Sequence, residues 1–272
     1  MKRLQESSKT SHPLKGAFLA MVLSLIGVHA SAATVACITA GDTAGLQAAL
    51  AAAESNNDDD VIELQAGEYS MPINLPLSYS ATNETHNLTI EGGYGDSMGN
   101  PCGASPATPD ARQTVLNGGT LYVHMAGAGS FAMRSVTVQN TFSTDPTFPP
   151  VYIGGYIDFT GTVTIQHAMF LGNASTAKSA VYIFAAMGSL TVQDSLFATN
   201  ETASATESPV HLGSLSTAGG VCAVITSSTF AGNSSGVAAG LDVYASMCIA
   251  VAANDIFWGS PLDAVRFEYP AW

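Results

Sequence analysis

From Thr120 onward, apolar and polar residues alternate in short bursts punctuated by Gly, Ser and Asn. One set of bursts reads Leu121-Tyr-Val123, Val151-Tyr-Ile153, Val181-Tyr-Ile183, Val210-His-Leu212 and Leu241-Asp-Val243, with centres 30, 30, 29 and 31 residues apart. A second set reads Val163-Thr-Ile165, Leu190-Thr-Val192, Ala223-Val-Ile225 and Ile249-Ala-Val251. Period-two patterning predicts β-strands, with the flanking aliphatics on one face and the central residue on the other. The aliphatic columns must face a core. In the last two members of the second set the alternation is less clean, and a register one residue away fits almost as well.

Just after the second set a phrase recurs: Phe170-Leu-Gly-Asn173, Phe197-Ala-Thr-Asn200, Phe230-Ala-Gly-Asn233 and Phe257-Trp-Gly-Ser260, in steps of 27, 33 and 27 residues. A period of this size predicts a solenoid of stacked units. Each unit of about 30 residues holds two or three strands and no helix, so β-α-β crossovers do not fit. The expected fold is all-β, a single-stranded parallel β-helix in which each strand pairs in parallel with its counterpart one coil away.

The N-terminal part is patterned differently. Asp42 is a candidate N-cap for good helix formers, with Leu46 and Leu50 four apart on one face, and Asn56-Asn-Asp-Asp-Asp60 follows as a polar turn. Residues 33–60 therefore read as a cap with a short helix, and 61–272 as the β-helix. Val61-Ile-Glu-Leu64 and Leu88-Thr-Ile90 begin the strands. Residues 95–112, rich in Gly, Pro, Ser and Asp, read as a long loop. At the other end Val265-Arg-Phe-Glu-Tyr269 reads as a final strand. Phe267, Tyr269 and Trp272 either cover the open coil, or that end associates with another molecule, end to end.

Residues 1–32 form a secretory signal: Lys2, Arg3, Lys9 and Lys15 precede an apolar run from Ala17 to Val28 that ends in Ala30-Ser-Ala32. The run is about a dozen residues, short of the roughly 20 of a membrane span, so the expected route is Sec export to the periplasm, cell surface or medium. The full chain carries 8 basic and 21 acidic residues. Cleavage leaves a formal charge of −16, four positive against twenty negative. Such a surface is a poor partner for nucleic acid, anionic membranes or acidic polysaccharides. Four cysteines in an exported chain suggest disulfides, with three pairings open. Cys37 with Cys102 and Cys222 with Cys248 is favoured, since the latter pair lies 26 residues apart, about one coil.

With its repeated strands and Phe-x-x-Asn phrases, the chain resembles the right-handed parallel β-helix proteins of the pectin-lyase-like superfamily. The phrases are similar to those of bacterial polymorphic outer-membrane proteins. The likeness covers about Asp42 to Ser260. The Gly-Gly-Ala-Ile phrase that usually accompanies Phe-x-x-Asn is eroded here to Ser179-Ala-Val-Tyr-Ile183 and Ala239-Gly-Leu-Asp-Val243, and no C-terminal barrel segment is apparent. The resemblance implies right-handedness and three sheets per coil. It implies no reaction, since the fold hosts lyases, hydrolases, adhesins and spacers.

The phenylalanines should stack inward as a ladder, and Asn173, Asn200 and Asn233 should satisfy backbone groups in the following turn. The same asparagines match glycosylation acceptors, which a chain read as bacterial discounts. The outward residues of the first strand set, Tyr122, Tyr152, Tyr182, His211 and Asp242, with His124, Phe184 and Tyr244 two places on, should form one exposed aromatic strip. Such a strip suits sugar rings or an extended partner chain. The column His167, Asp194, Ser227, Asn254 looks like a hydrolytic triad, but Asp194 falls between the histidine and the serine, where the chemistry needs the histidine. Arg134 has no acid at an evident neighbouring-coil position, Asp158 stands alone in a turn, and Asp58, Asp59 and Asp60 offer at most a weak Ca²⁺ site and read chiefly as a solvated turn next to the helix. No metal or cofactor motif appears. The expected function is a non-enzymatic exported module for surface binding or structure, contacting polysaccharide or a surface protein. The alternative is a polysaccharide lyase or glycoside hydrolase, which would show carboxylates and a base converging at Arg134 or Asp158.

Overall fold

A computed structural model describes residues 34–73, 75–82, 85–95, 102–103, 110–216, 220–236, 239–259 and 265–268. The segment read as a secretory signal, most of the 95–112 loop, and Tyr269 and Trp272 lie outside the described residues. Among the described residues the chain is a parallel β-solenoid of about seven turns, built on three long sheets and one short one. Sheet A runs from Thr34–Ile38 through Asp60–Gln65, Leu88–Tyr94, Phe131–Arg134, Thr162–Gln166, Ser189–Gln193 and Val221–Thr226 to Ile249–Ala253. Sheet B holds Gly67–Ser70, Thr114–Asn117, Thr137–Gln139, Met169–Leu171, Leu196–Ala198, Thr229–Ala231 and Ile256–Trp258. Sheet C holds Leu77–Ser80, Leu121–Met125, Val151–Gly155, Val181–Phe184, Val210–Ser214, Leu241–Ala245 and Val265–Glu268. Between B and C the two-residue strands Phe142–Ser143, Ala174–Ser175, Glu201–Thr202 and Ser234–Ser235 form sheet D.

The expected helix spans Thr43–Ala53, capped by Asp42, whose Oδ1 accepts the Gly45 N–H at 2.8 Å. It buries Leu46, Leu50 and Ala53 against the first coil. The strand before it, Thr34–Ile38, joins the edge of sheet A and falls within residues read from sequence as cap alone.

The Phe-x-x-Asn phrase is the hinge of the coil. Phe170, Phe197, Phe230 and Phe257 stack with ring centroids 4.8, 4.9 and 5.2 Å apart. The same column continues toward the N-terminus through Val138, Leu116 and Tyr69, which the repeat does not reveal. One residue before each asparagine, the backbone of Gly172, Thr199 and Gly232 turns through left-handed φ of 60°, 54° and 61°. Each asparagine is fully buried. Asn200 Nδ2 donates to the Phe170 carbonyl at 3.0 Å and to Asn233 Oδ1 at 2.9 Å, and the Asn200 N–H reaches that same oxygen at 3.0 Å. Asn173 repeats this set on the Val138 carbonyl and Asn200 Oδ1.

The last strand of sheet A departs from the first-choice register. A bulge between Val221 and Ala223 slips the pairing, so that Ala223 faces Ala250 and Ile225 faces Ala252. Ala250 then packs on the core, and Ile249 and Val251 are exposed. The two favoured disulfides are present, Cys37–Cys102 and Cys222–Cys248. They suit a non-reducing compartment. Among the described residues, no helix is long and apolar enough to cross a membrane.

Candidate functional site

Sheet C carries the predicted strip in register, and successive outward residues are Ser78, Tyr122, Tyr152, Tyr182, His211, Asp242 and Arg266. Four rings stack: Tyr122 on Tyr152 at 5.0 Å, Tyr152 on Tyr182 at 5.7 Å and Tyr182 on His211 at 4.6 Å, the last two pairs within 5° of parallel. Parallel strands dictate this, because identical rotamers one coil apart sit about 4.8 Å from each other. The stack is half-buried rather than exposed. The stacked faces are spent on their neighbours, and the hydroxyls of Tyr122 and Tyr152 lean along the sheet toward His124 and Gly154. Burial raises the hydroxyl pKa of Tyr122, Tyr152 and Tyr182, the last to about 12.

The second outward row is Ser80, His124, Gly154, Phe184, Gly213 and Tyr244, alternating large with absent side chains. The glycines make room: a Cβ at Gly154 would lie 2.8 Å from the Tyr152 hydroxyl oxygen, which leans over it. His124 is buried, its Nδ1 2.8 Å from the Tyr122 hydroxyl and its ring covered by Tyr156 at 3.4 Å. Burial lowers its pKa, against an opposing pull from Asp158.

At the other end of the strip Asp242 is only 3% exposed, so it is an anchor and not a binding tip. Its Oδ2 lies 3.1 Å from His211 Nδ1 and accepts from an Arg266 terminal nitrogen at 3.2 Å, and its Oδ1 accepts from Arg266 Nε at 3.3 Å. Burial pushes the Asp242 pKa up, but the His211 and Arg266 hydrogen bonds outweigh it and hold the carboxyl below its usual range.

The open end is at Tyr122, where Phe148 packs edge-on at 5.5 Å. Here the strip runs into a groove of about 600 Å³ bounded by Ile73, Pro76, Tyr122, Phe142, Phe148 and Pro149, with Thr120, Thr144 and Asp145 supplying polar groups. It exists because of a difference between coils. The chain passes from Asn117 in sheet B to Leu121 in sheet C through only Gly118, Gly119 and Thr120. Among the described residues sheet D therefore begins one coil later, at Phe142–Ser143, with no strand before it. Sequence reasoning missed this groove. A smaller apolar groove of about 310 Å³, between the helix and Leu75, shares Pro76 with it.

The apparent triad column is a row of turns. His167, Asp194, Ser227 and Asn254 have left-handed φ of 50°, 49°, 52° and 59°, where short polar residues are favoured. Asp194 stands between the other two and lies 3.5 Å from His167 Nε2. Arg134 does have an acid beside it, contrary to the sequence reading. The sheet A register sets Glu91 next to it and Glu63 one strand further, an alignment hidden by coil steps of 28 and 43 residues and a bulge after Glu63. Tyr94 sits beside these carboxylates, its hydroxyl 3.1 Å from Glu91 Oε2, and burial, helped by the charges of Glu91 and Glu63, raises its pKa strongly. Among the described residues Arg134 itself makes no ion pair. Asp158 is exposed in a turn. Among the described residues no group of three or more metal-ligating side chains converges. No family model matches the chain, and no curated protein or solved structure shows significant similarity to it.

Proposed function

We propose that this chain is an exported, non-enzymatic module of the right-handed, pectin-lyase-like β-helix type, which binds carbohydrate or a surface protein through the outward face of sheet C. The observation that carries the reading is the aromatic strip itself: Tyr122, Tyr152, Tyr182 and His211 form one continuous stack, and it ends in an open groove with half-exposed Phe142 and Phe148. A continuous aromatic row on a rigid scaffold, half-buried along its length and ending in partly open rings, supports a recognition role. Export through the Sec route fits the N-terminal pattern and the disulfides. Immobilised protein should capture members of a glycan array or a defined panel of surface proteins, and the Tyr152→Ala, Tyr182→Ala pair should weaken capture while the fold persists. Unchanged capture would make the strip irrelevant. N-terminal sequencing of secreted protein should begin near Ala33.

A second reading, a glycoside hydrolase or lyase, is favoured by one observation, the Glu63–Tyr94–Glu91 cluster beside Arg134 on sheet A. Two carboxylates can share acid and nucleophile roles in glycoside hydrolysis. It predicts reducing-sugar or unsaturated-product release from a polysaccharide panel, abolished by Glu91→Gln. No release across the panel removes it.

A further inference from the structure

We propose that the groove at the Tyr122 end of sheet C is a binding site for a neutral oligosaccharide. The inference rests on the binding-module reading above and gives it a place and a ligand class. The volume, about 600 Å³, is that of a small-ligand site. Two rings line it with half of their surface open, Phe142 at 50% and Phe148 at 48% exposure. Unlike the stacked rings of the strip, both keep about half of their surface open at its end. A pyranose presents one face of C–H bonds, polarised by adjacent oxygens, which complements the negative face of an aromatic ring. Hydroxyls at the rim of the sugar then meet Thr120, Thr144 and Asp145.

The groove is built in advance. Ser143 Oγ donates to the Phe148 carbonyl at 3.2 Å and accepts the Asp145 N–H at 3.0 Å, and Asp145 Oδ1 accepts the Thr147 N–H at 2.7 Å. A loop ordered by its own hydrogen bonds loses little freedom on binding.

The lining also selects against other occupants. An extended peptide would add to the free edge of sheet D, but Phe142 already donates its N–H to the Gly119 carbonyl at 3.3 Å. Pro76 and Pro149 have no N–H to offer. A uronate chain would bring carboxylates to Asp145 on a chain of net charge −13, with no cation in the described lining to receive them.

The test is calorimetric titration of the full secreted chain with cello-, xylo-, manno- and malto-hexaose, alongside tri-galacturonate and a random extended peptide pool. At least one neutral hexaose should bind saturably. Phe142→Ala and Phe148→Ala should each weaken it tenfold or more with unchanged melting temperature, since both rings are half-exposed. Phe148→Leu, which keeps apolar bulk but removes the ring, should weaken it comparably. The proposal is overturned if no neutral hexaose binds, if galacturonate or peptide binds in the groove instead, or if the phenylalanine variants bind like the parent. Retained hexaose binding in those variants but loss in Phe184→Ala or Tyr244→Ala would sink the groove and leave the broader sheet C reading standing. If no hexaose and no member of the protein panel binds, both fail.

Discussion

Each buried asparagine of the Phe-x-x-Asn phrase makes more hydrogen bonds than a backbone residue could, so its removal leaves partners stranded in two coils. Asn200→Ala would orphan the Asn173 N–H and the Phe170 carbonyl and take one of its two acceptors from Asn173 Nδ2. With about 1 to 3 kcal/mol for each unsatisfied buried group, the expected loss is about 3 to 5 kcal/mol in urea denaturation. Phe197→Ala should cost a similar amount, about 3 to 5 kcal/mol, through cavity formation between Phe170 and Phe230. A loss within experimental noise for either would mean that the ladder does not hold the coils together. His124 gives a pH signature. Its folded pKa lies below the unfolded value of 6.5, chiefly through burial. As pH falls below 6.5 the unfolded chain takes up a proton that the folded chain resists, so stability drops. His124→Gln should flatten the slope of stability against pH between about 6.5 and 5. Asp242 acts in a lower window. Its folded pKa is depressed, so its contribution is present above about 4 and fades only as pH falls below that.

At the scale of the element, the turns carry a cost the ladder offsets. Ser227 sits at φ 52°, a region that costs an ordinary L-residue about 1 to 2 kcal/mol. Ser227→Gly and Ser227→Val should therefore differ in stability by about that amount, the valine variant being the weaker. Equal melting temperatures would deny the strain. This column shows what the sequence could reveal. Identical residues at a fixed spacing, such as the four phenylalanines and the sheet C tyrosines, announce their register because the side chain itself repeats. Tyr69, Leu116 and Val138 occupy the same ladder but share only apolarity, so they are silent. The triad-like column was legible as turns because its stacking order contradicts the chemistry. Glu63, Glu91 and Arg134 were not legible as neighbours, since their coils differ in length and one contains a bulge. The groove was hidden for a related reason: it comes from a segment that one coil lacks, and a missing strand leaves no pattern. The Asp242–Arg266 link depends on pairing of the final strand, whose register no repeat marks.

For the whole molecule, a solenoid whose coils touch only their neighbours passes a local loss along its core mainly to the adjacent coils, so stability is approximately a sum of coil and interface terms. The two disulfides make this testable because they sit in different parts of the stack. Cys37–Cys102 closes 65 residues around the first coils, and Cys222–Cys248 closes 26 residues between two of the last. Loop-closure entropy assigns them about 4 and about 3.5 kcal/mol. The energies are close, but the places differ. In a Cys222→Ser, Cys248→Ser variant, amides of Val221–Thr226 and Ile249–Ala253 should lose protection in hydrogen exchange, while Asp60–Gln65 and Leu88–Tyr94 keep theirs. A Cys37→Ser, Cys102→Ser variant should show the reverse. The outer strand of sheet A in the last coil already exposes Ile249 and Val251 and faces its neighbour through small residues, Ala250 and Ala252. It therefore has little packing to fall back on when the covalent tie is cut. Protection lost evenly along the chain in either variant would mean that the coils unfold as one cooperative unit, and that the nearest-neighbour account is wrong for this solenoid.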